Sequence, residues 1–251
     1  MKIKILGSNG WYSTKTGNTI CSLIDTKNYY IILDAGEGMN KLDELINSDK
    51  QIFLFLSHFH LDHIYGLHIL NKFKFHQPLK IFGPTRAKKI LSKIIASPYT
   101  KPLKKLKIQV IIKDLTEGVN NPPDTPFPVE CRYLIHVDPC VGYRLNIDDG
   151  KIITYCVDTG VCDNMLRLSR NADVLITECS LKPRQRYTEW PHLNPEDSAK
   201  VAKKMKVGKL LLTHFDAISY KTFKERKEAE KVAKKIFPNT IACYDGLELT
   251  I

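Results

Sequence analysis

Short apolar, β-branched runs alternate with amphipathic stretches along most of the chain. Each run has the length of a buried strand, and turn-forming residues bound most of them. These runs predict strands at 2–6, 18–25, 29–34, 51–56, 79–82, 108–112, 129–136, 141–147, 151–157, 173–177, 209–213, 239–243 and 247–251.

Helical periodicity fills the intervals between the strand clusters. It predicts helices at 39–48, 63–74, 85–96, 163–170, 195–206 and 220–236. Strand clusters with helices between them predict sheets covered by helices, an α/β (α+β) layered body. The stretch 116–128 is rich in Pro and Asn and indicates an excursion inside a domain, and we find no repeat or linker. We therefore expect one domain over residues 1–251.

Cysteine usage and hydropathy bear on the cellular compartment. The seven cysteines are odd in number and scattered, without a C-x-x-C pair, which favours reduced thiols over a disulfide framework. The N-terminus is too short and polar for a signal peptide. No apolar run approaches the ~20 residues of a membrane helix. We expect a soluble, cytoplasmic protein with no membrane partner.

The net charge of +11 is unevenly distributed. Residues 72–113 contain twelve Lys or Arg and no Asp or Glu. This stretch is either a solvated lysine-rich surface or an electropositive face that attracts a polyanion. Charge alone leaves both interpretations open. Arginine and aromatic residues do not interleave in this stretch as they do on a base-stacking platform.

Metal-competent side chains follow the predicted strand 51–56. After Ser57 the chain reads His58-Phe-His60-Leu-Asp62-His63. Alternation brings His58 and His60 to one side, while Asp62 and His63 lie at the start of the next predicted helix. Imidazole and carboxylate ligands suit zinc, and also manganese or iron.

Three further apolar runs end in a candidate ligand. His136, Asp158 and His214 each follow a predicted strand, and ligands collect at the carboxyl ends of strands in α/β sheets. Taken singly, each would be interpreted as a core or loop residue rather than a ligand; with the first cluster, they predict one site. We interpret His68 and His76 as non-ligands, because His68 turns to a different face of the predicted helix from His63 and His76 lies at the far end of that helix.

The ordered set of ligands resembles the metallo-β-lactamase superfamily. The pattern is the H-x-H-x-D-H motif at 58–63, then His136, Asp158 and His214. Supporting matches are Gly17-Asn-Thr19, Leu33-Asp-Ala-Gly-Glu-Gly38, Asp158-Thr-Gly160, Thr213-His-Phe215 and Tyr244-Asp-Gly246. The chain looks most similar to the ribonuclease Z-like branch of phosphodiesterases. The motif is specific for the superfamily but poorly specific for the substrate.

The resemblance implies a four-layer αββα sandwich with two divalent metal ions at one edge between the sheets. Zinc is the metal expected before manganese or iron. His58, His60 and His136 would bind the first ion, Asp62, His63 and His214 the second, and Asp158 would bridge both. A hydroxide activated by the metals would then attack the substrate.

Glu178 and His192 look like the pair that assists protonation of the leaving group in that branch. The carboxylate would fix the tautomer of the imidazole, and His192 would donate the proton. Trp190 and Tyr187 flank His192; they could line a substrate pocket or pack the domain.

One feature of the branch is missing. Bacterial ribonuclease Z proteins usually carry a long tRNA-gripping arm between the third and fourth motifs, whereas only 21 residues separate His136 from Asp158 here. The substrate could therefore be RNA, a cyclic nucleotide or a small cyclic phosphodiester. Two alternatives stay open: a thioester- or lactone-type hydrolase of the same fold, and a basic nucleic-acid-binding protein with structural metals. A homodimer is also left open.

Overall fold

The computed structural model describes residues 1–120, 125–147, 150–187 and 189–251. Within these residues, the strands form two seven-stranded sheets and one two-stranded ribbon. All seven cysteines are free thiols, as predicted. In these ranges, helices are too short or too polar to traverse a lipid bilayer.

The first sheet combines strands from the first half of the chain with the last strand. Its members are β1 (Lys2–Gly7), β3 (Cys21–Asp25), β4 (Tyr29–Leu33), β5 (Gln51–Phe55), β6 (Leu79–Gly83), β7 (Val110–Asp114) and β16 (Glu248–Thr250). They are ordered β16-β1-β3-β4-β5-β6-β7, and the pairs from β4 to β7 are parallel.

The second sheet is built from the second half of the chain. Its members are β8 (Gly118–Asn120), β9 (Val129–Tyr133), β10 (Val141–Asn146), β11 (Ile152–Cys156), β12 (Val174–Glu178), β13 (Lys209–Thr213) and β15 (Thr240–Ala242). They are ordered β15-β13-β12-β11-β10-β9-β8, with β11, β12, β13 and β15 parallel. A two-stranded ribbon joins β2 (Asn9–Gly10) to β14 (Phe215–Asp216).

Every predicted strand is confirmed, but β2, β8 and β14 were not predicted. They have two or three residues each, too few for a readable alternation. The predicted excursion 116–128 contains β8, and its residues 121–124 lie outside the described residues.

Helices cover the outer faces of both sheets. The α-helices are α1 (Leu42–Leu45), α2 (Leu61–Ile64), α3 (Ala87–Ile94), α4 (Asp163–Ser169), α5 (Pro195–Lys204) and α6 (Phe223–Lys234). Among the described residues, 3₁₀ helices cover Glu37–Lys41, Tyr65–Lys72 and Leu103–Lys105. At the start of α5, the Asn194 side chain accepts a hydrogen bond from the Asp197 backbone N–H (2.8 Å) and so caps the helix.

Two predicted helices are only partly α-helical. Only Leu42–Leu45 of the first segment, 39–48, and residues 63–64 of the second, 63–74, are α-helical, and the 3₁₀ helices Glu37–Lys41 and Tyr65–Lys72 cover much of the remainder. The reason is a tertiary contact: the Gly66 N–H donates to the Ala35 carbonyl (2.8 Å) rather than to its own helix. A Cβ at Gly66 would lie 2.4 Å from the Gly36 carbonyl oxygen, so the two segments touch through backbone. Sequence periodicity does not contain this contact.

The apolar side chains form three cores, which produce four layers. Phe53 and Phe55 of β5 point between the sheets, where Phe55 packs against Tyr143 at 5.4 Å between ring centroids. Leu54 of the same strand points outward to the helices of the first layer. A third core lies between the second sheet and α4 to α6. This arrangement confirms the predicted αββα sandwich.

A buried arginine ties the C-terminal helix α6 to the N-terminal segment. Arg226 donates to the Ser8 hydroxyl (2.9 Å), to the Thr16 hydroxyl (3.0 Å) and to the Asn9 side-chain oxygen. Its guanidinium also lies over the ring of Phe215, 4.7 Å from the centroid. Burial lowers the pKa of Arg226 to about 10, so it stays charged at neutral pH.

We expect Arg226→Met to lower the free energy of unfolding by about 2–3 kcal/mol, because the buried oxygens of Asn9 and Thr16 would lose their donor. Denaturation by urea measures this. Lys224→Met, at an exposed position of the same helix, should change stability by less than about 0.5 kcal/mol. Equal effects of the two substitutions would contradict the structural role of Arg226.

Candidate metal centre

The predicted ligands meet at one edge of the sandwich. His58 follows β5, Asp158 follows β11 and His214 follows β13, and each of these strands has a parallel neighbour. Carboxyl ends of parallel strands share an edge of the sheet, so the side chains after them converge. Overlapping groups with ligand atoms within 4.8 Å of one another include all of the seven predicted residues: His58, His60, Asp62, His63, His136, Asp158 and His214.

Local backbone geometry aims these side chains into the site. Asp158 (φ 50°) and His214 (φ 49°) adopt the left-handed region immediately after their strands, and so does Asp34 (φ 55°) after β4. This conformation is uncommon for residues other than glycine and costs energy. Each turn changes the direction of the chain within one residue, which leaves the side chain at the sheet edge.

The first group consists of three imidazoles. His58, His60 and His136 place their ring nitrogens within 4.8 Å of one another. His58 Nε2 and His136 Nδ1 are buried and have no hydrogen-bond partner among the described residues. Burial lowers the pKa of both rings, most strongly that of His58. Neutral imidazoles with free lone pairs are the form that binds a metal ion.

In the second group, imidazole nitrogens and a carboxylate oxygen lie close together. His63 Nε2 lies 3.1 Å from His214 Nε2, and Asp62 Oδ2 lies 3.3 Å from His214 Nε2. His63 Nδ1–H donates to Asp34 Oδ2 (2.7 Å), so neutral His63 presents a bare Nε2. The hydroxyl of Ser180 donates its proton to the His214 carbonyl and lies 3.2 Å from Nδ1, so it can only accept a hydrogen bond from Nδ1–H. The Nε2 of neutral His214 therefore carries no proton.

Asp158 lies between the two groups. Its Oδ2 atom is 3.1 Å from His63 Nε2 and 3.2 Å from His214 Nε2. It also belongs to a set with His58 and to one with His136. Lone pairs of nitrogen and carboxylate oxygen repel each other at these distances unless positive charge lies among them. The donor set of imidazoles and carboxylates therefore fits divalent cations.

The carboxylates create a field that attracts positive charge. Burial opposes protonation of His63 and His214, but Asp62 and Asp158 outweigh it and raise the pKa of both rings. Burial likewise opposes ionisation of Asp62 and Asp158, yet the neighbouring imidazoles lower the pKa of both carboxyls. Metal binding replaces such protons, so it should release them.

Two supporting carboxylates were not assigned a role from the sequence. Asp34 is fully buried and accepts hydrogen bonds from the Ser57 backbone, the Ser57 hydroxyl, His63 and the Tyr155 hydroxyl. Asp138 Oδ2 lies 2.8 Å from His60 Nε2. The position of Asp34 at a strand end beside the first ligand strand was a usable signal. Asp138 lies in a loop and carries no such signal.

The predicted pair of Glu178 and His192 is in contact. His192 Nδ1 lies 2.8 and 2.9 Å from the two carboxylate oxygens of Glu178, which is completely buried at the end of β12. Glu178 also accepts a hydrogen bond from the Thr159 backbone. Burial opposes protonation of His192, but the Glu178 carboxylate raises its pKa to about 9.

A cavity of about 520 Å³ opens onto these groups. His60, Asp62, His136, Asp158, His192 and His214 line it, together with Trp11, Tyr187 and Trp190. No Lys or Arg is among the described residues that form its wall. His68 and His76 are elsewhere, as predicted: His68 bonds the Tyr65 carbonyl and His76 pairs with Asp49.

Comparisons with known proteins agree with this geometry. A profile described as "Beta-lactamase superfamily domain" matches residues 29–215. The probable metallo-hydrolase YhfI of Bacillus subtilis is 27% identical over 226 residues, 85% of this chain and 86% of that protein. The ribonuclease Z of Bacillus licheniformis is 26% identical, covering 99% of this chain and 98% of the relative. That alignment spans 317 positions, so the relative has segments that this chain lacks.

Solved structures share the fold. The crystal structure of YhfI superimposes with a TM-score of 0.82 at 24% identity, covering 99% of this chain and 98% of the other. The short form of human tRNase Z gives a TM-score of 0.78 at 20% identity, with coverages of 100% and 99%. The chain belongs to the metallo-β-lactamase superfamily and is a metal-dependent hydrolase of its ribonuclease Z-like branch.

Proposed function

We propose that the chain is a dinuclear metal-dependent phosphodiesterase that acts on RNA, a cyclic nucleotide or a small cyclic phosphodiester. One observation carries the proposal: two trios of ligand atoms lie beside an open cavity, and the Asp158 carboxylate lies within 4.8 Å of ligand atoms from both. A structural metal site is usually a closed tetrahedron, whereas a catalytic site keeps an accessible position.

Each trio would bind one ion. His58, His60 and His136 are assigned to the first, and Asp62, His63 and His214 to the second. Asp158 would bridge them, because its carboxylate approaches residues of both groups. Zinc suits these nitrogen and oxygen donors best, and manganese or iron would also fit.

The charge of the cavity wall supports a role for metals in substrate binding. Asp62, Asp158 and Asp216 line the cavity, and the described wall offers no cationic side chain other than histidine to a phosphodiester. When bound, divalent ions would neutralise the anion, stabilise charge on phosphoryl oxygens and lower the pKa of a water molecule. The carboxylates alone would repel the substrate.

Glu178 and His192 would act on the leaving group. Because Glu178 occupies Nδ1, the proton that can reach the substrate is on Nε2 of His192. His192 lies near the first trio, with its ring centroid 5.7 Å from that of His136. A positioned proton donor of this kind contributes roughly 10²–10⁴-fold to the rate for leaving groups that require a proton.

RNA is supported as a substrate by the names of the relatives and by the basic stretch 72–113. Arg86 and Lys88 are exposed at the start of α3. A Cβ built at Gly83, the end of β6, would contact both Ala87 of that helix and Phe59 of the ligand turn. This part of the basic stretch therefore lies beside the site edge, and it could contact phosphates without a long arm.

Asp158→Ala should reduce hydrolysis of bis(4-nitrophenyl) phosphate by at least about 100-fold, because the two ion sites lose their shared ligand. Elemental analysis of the purified variant should show less metal than in the wild type. Asp163→Ala, at an exposed position, is the matched control. Equal rates and metal contents in the two variants would remove the proposed bridge.

Asp34→Asn should weaken metal binding about 10- to 100-fold, since the carboxylate orients His63 and makes it a stronger ligand. Competition with a chelator measures the affinity, and denaturation measured in parallel separates this effect from a loss of fold. A folded variant that binds metal as tightly as the wild type would exclude a positioning role for Asp34.

His192→Ala should distinguish substrates by their leaving groups. We expect hydrolysis of a dinucleotide, which releases an alkoxide, to fall roughly 10²–10⁴-fold. Bis(4-nitrophenyl) phosphate, which releases a stable phenolate, should lose much less. A uniform loss on both substrates, with unchanged metal content, would show that His192 does not donate the proton.

A further inference from the structure

Both tryptophans of the chain line the metal-centre cavity. Trp11 and Trp190 come from segments far apart in sequence, and 62% and 50% of their surfaces are exposed. Tryptophan usually contributes a large buried area to a core or an interface. Scattered exposed apolar residues need no explanation, but the convergence of both tryptophans on one cavity indicates a binding surface.

Trp11 is fixed against the second trio. Its backbone N–H donates to Asp62 Oδ2 (2.7 Å), and its φ of 69° is rare for a bulky residue. The preceding Gly10 lies so close to His214 that a Cβ would be 2.4 Å from the ring. The Asn9 side chain, which accepts from Arg226, donates to the Tyr12 carbonyl. A strained conformation supported in this way is typical of functional segments.

Trp190 lies on the side of the first trio and of the proton donor. Its ring centroid is 6.0 Å from that of His136 and 6.4 Å from that of His192. The exposed Tyr187 lines the same cavity. The two tryptophans therefore approach the ligands from different sides, one at Asp62 and the other at His136.

We propose that Trp11 and Trp190 determine specificity by stacking on the nucleobases that flank the scissile phosphodiester. The inference rests on the proposed phosphodiesterase function and narrows its substrate class to nucleoside phosphodiesters. Trp190, beside His192, would contact the base of the departing nucleoside. Trp11, beside Asp62, would contact the base of the nucleoside that keeps the phosphate.

The chemistry of the cavity favours a nucleobase over other groups that bind to aromatic side chains. Its volume of about 520 Å³ is within the roughly 300–1,000 Å³ of ligand sites. A quaternary ammonium group also binds aromatic walls, but it would meet the positive charge of bound metals. A neutral base carried by an anionic diester satisfies both the aromatic walls and the metals. Stacking tolerates any base, because every base has a π face.

Intrinsic fluorescence tests the stacking directly, since the chain has only these two tryptophans. Adenosine 5′-monophosphate added to the metal-loaded protein should quench the emission saturably, whereas ribose 5-phosphate should not. Trp11→Phe and Trp190→Phe each leave one reporter, and the emission of Trp11, on the side of the nucleoside that keeps the phosphate, should respond to this mononucleotide. Trp11→Leu should weaken binding of the mononucleotide about 5- to 100-fold, and Trp190→Leu should weaken it far less.

Hydrolysis provides a second readout. The ratio of kcat/KM for a dinucleotide to that for methyl 4-nitrophenyl phosphate should fall about 5- to 100-fold in each leucine variant. Tyr99→Leu removes an exposed aromatic residue outside the cavity and should leave the ratio unchanged. An unchanged ratio in both tryptophan variants would overturn the inference.

The outcomes separate this inference from the proposed function. Saturable quenching by the nucleotide without hydrolysis of any diester would support the stacking contacts of Trp11 and Trp190 and refute the proposed phosphodiesterase function. Hydrolysis of methyl 4-nitrophenyl phosphate with no nucleotide-specific quenching would support the proposed phosphodiesterase function and overturn the proposed stacking contacts. Stronger quenching by phosphocholine than by adenosine 5′-monophosphate would also overturn them.

Discussion

The carboxylate of Asp34 accepts hydrogen bonds from groups that belong to both halves of the sandwich. Asp34 follows β4 of the first sheet and accepts hydrogen bonds from Ser57 and His63, which lie after β5. It also accepts a hydrogen bond from the hydroxyl of Tyr155 in the second sheet. A buried carboxylate without partners would be very costly, and these donors offset the cost. The same contacts fix the ring of His63, so the join between the sheets and the geometry of the metal centre share one side chain.

The metal centre itself stores electrostatic conflict. Nitrogen lone pairs and carboxylate oxygens approach within 3.1–3.3 Å, and several turns adopt left-handed backbone. None of this stabilises the fold without positive charge in the site. The three apolar cores on and between the sheets must therefore supply the stability, through burial that is worth roughly 1.5–3 kcal/mol for each large side chain. The rigid body and the reactive edge have separate physical sources.

The sequence predicts the parts of this arrangement that depend on local pattern. An apolar run followed directly by His58, Asp158 or His214 is readable, because a strand end is both a pattern boundary and a place in the fold. The contact between His60 and Asp138 is not readable, since it joins residues in two loops. The exposure of Trp11 depends on a positive φ that tryptophan does not suggest. The 3₁₀ form of Tyr65–Lys72 depends on a tertiary backbone contact. Tertiary placement decides each of these.

In the first sheet, β16 pairs with β1. All seven candidate ligands precede residue 215 and are therefore synthesised before helix α6 and β16. Arg226 of α6 is the group that holds the segment 8–16, including the backbone beside Asp62. A nascent chain therefore contains every candidate ligand before it can complete the wall next to them, and that wall is complete only after α6 has been synthesised.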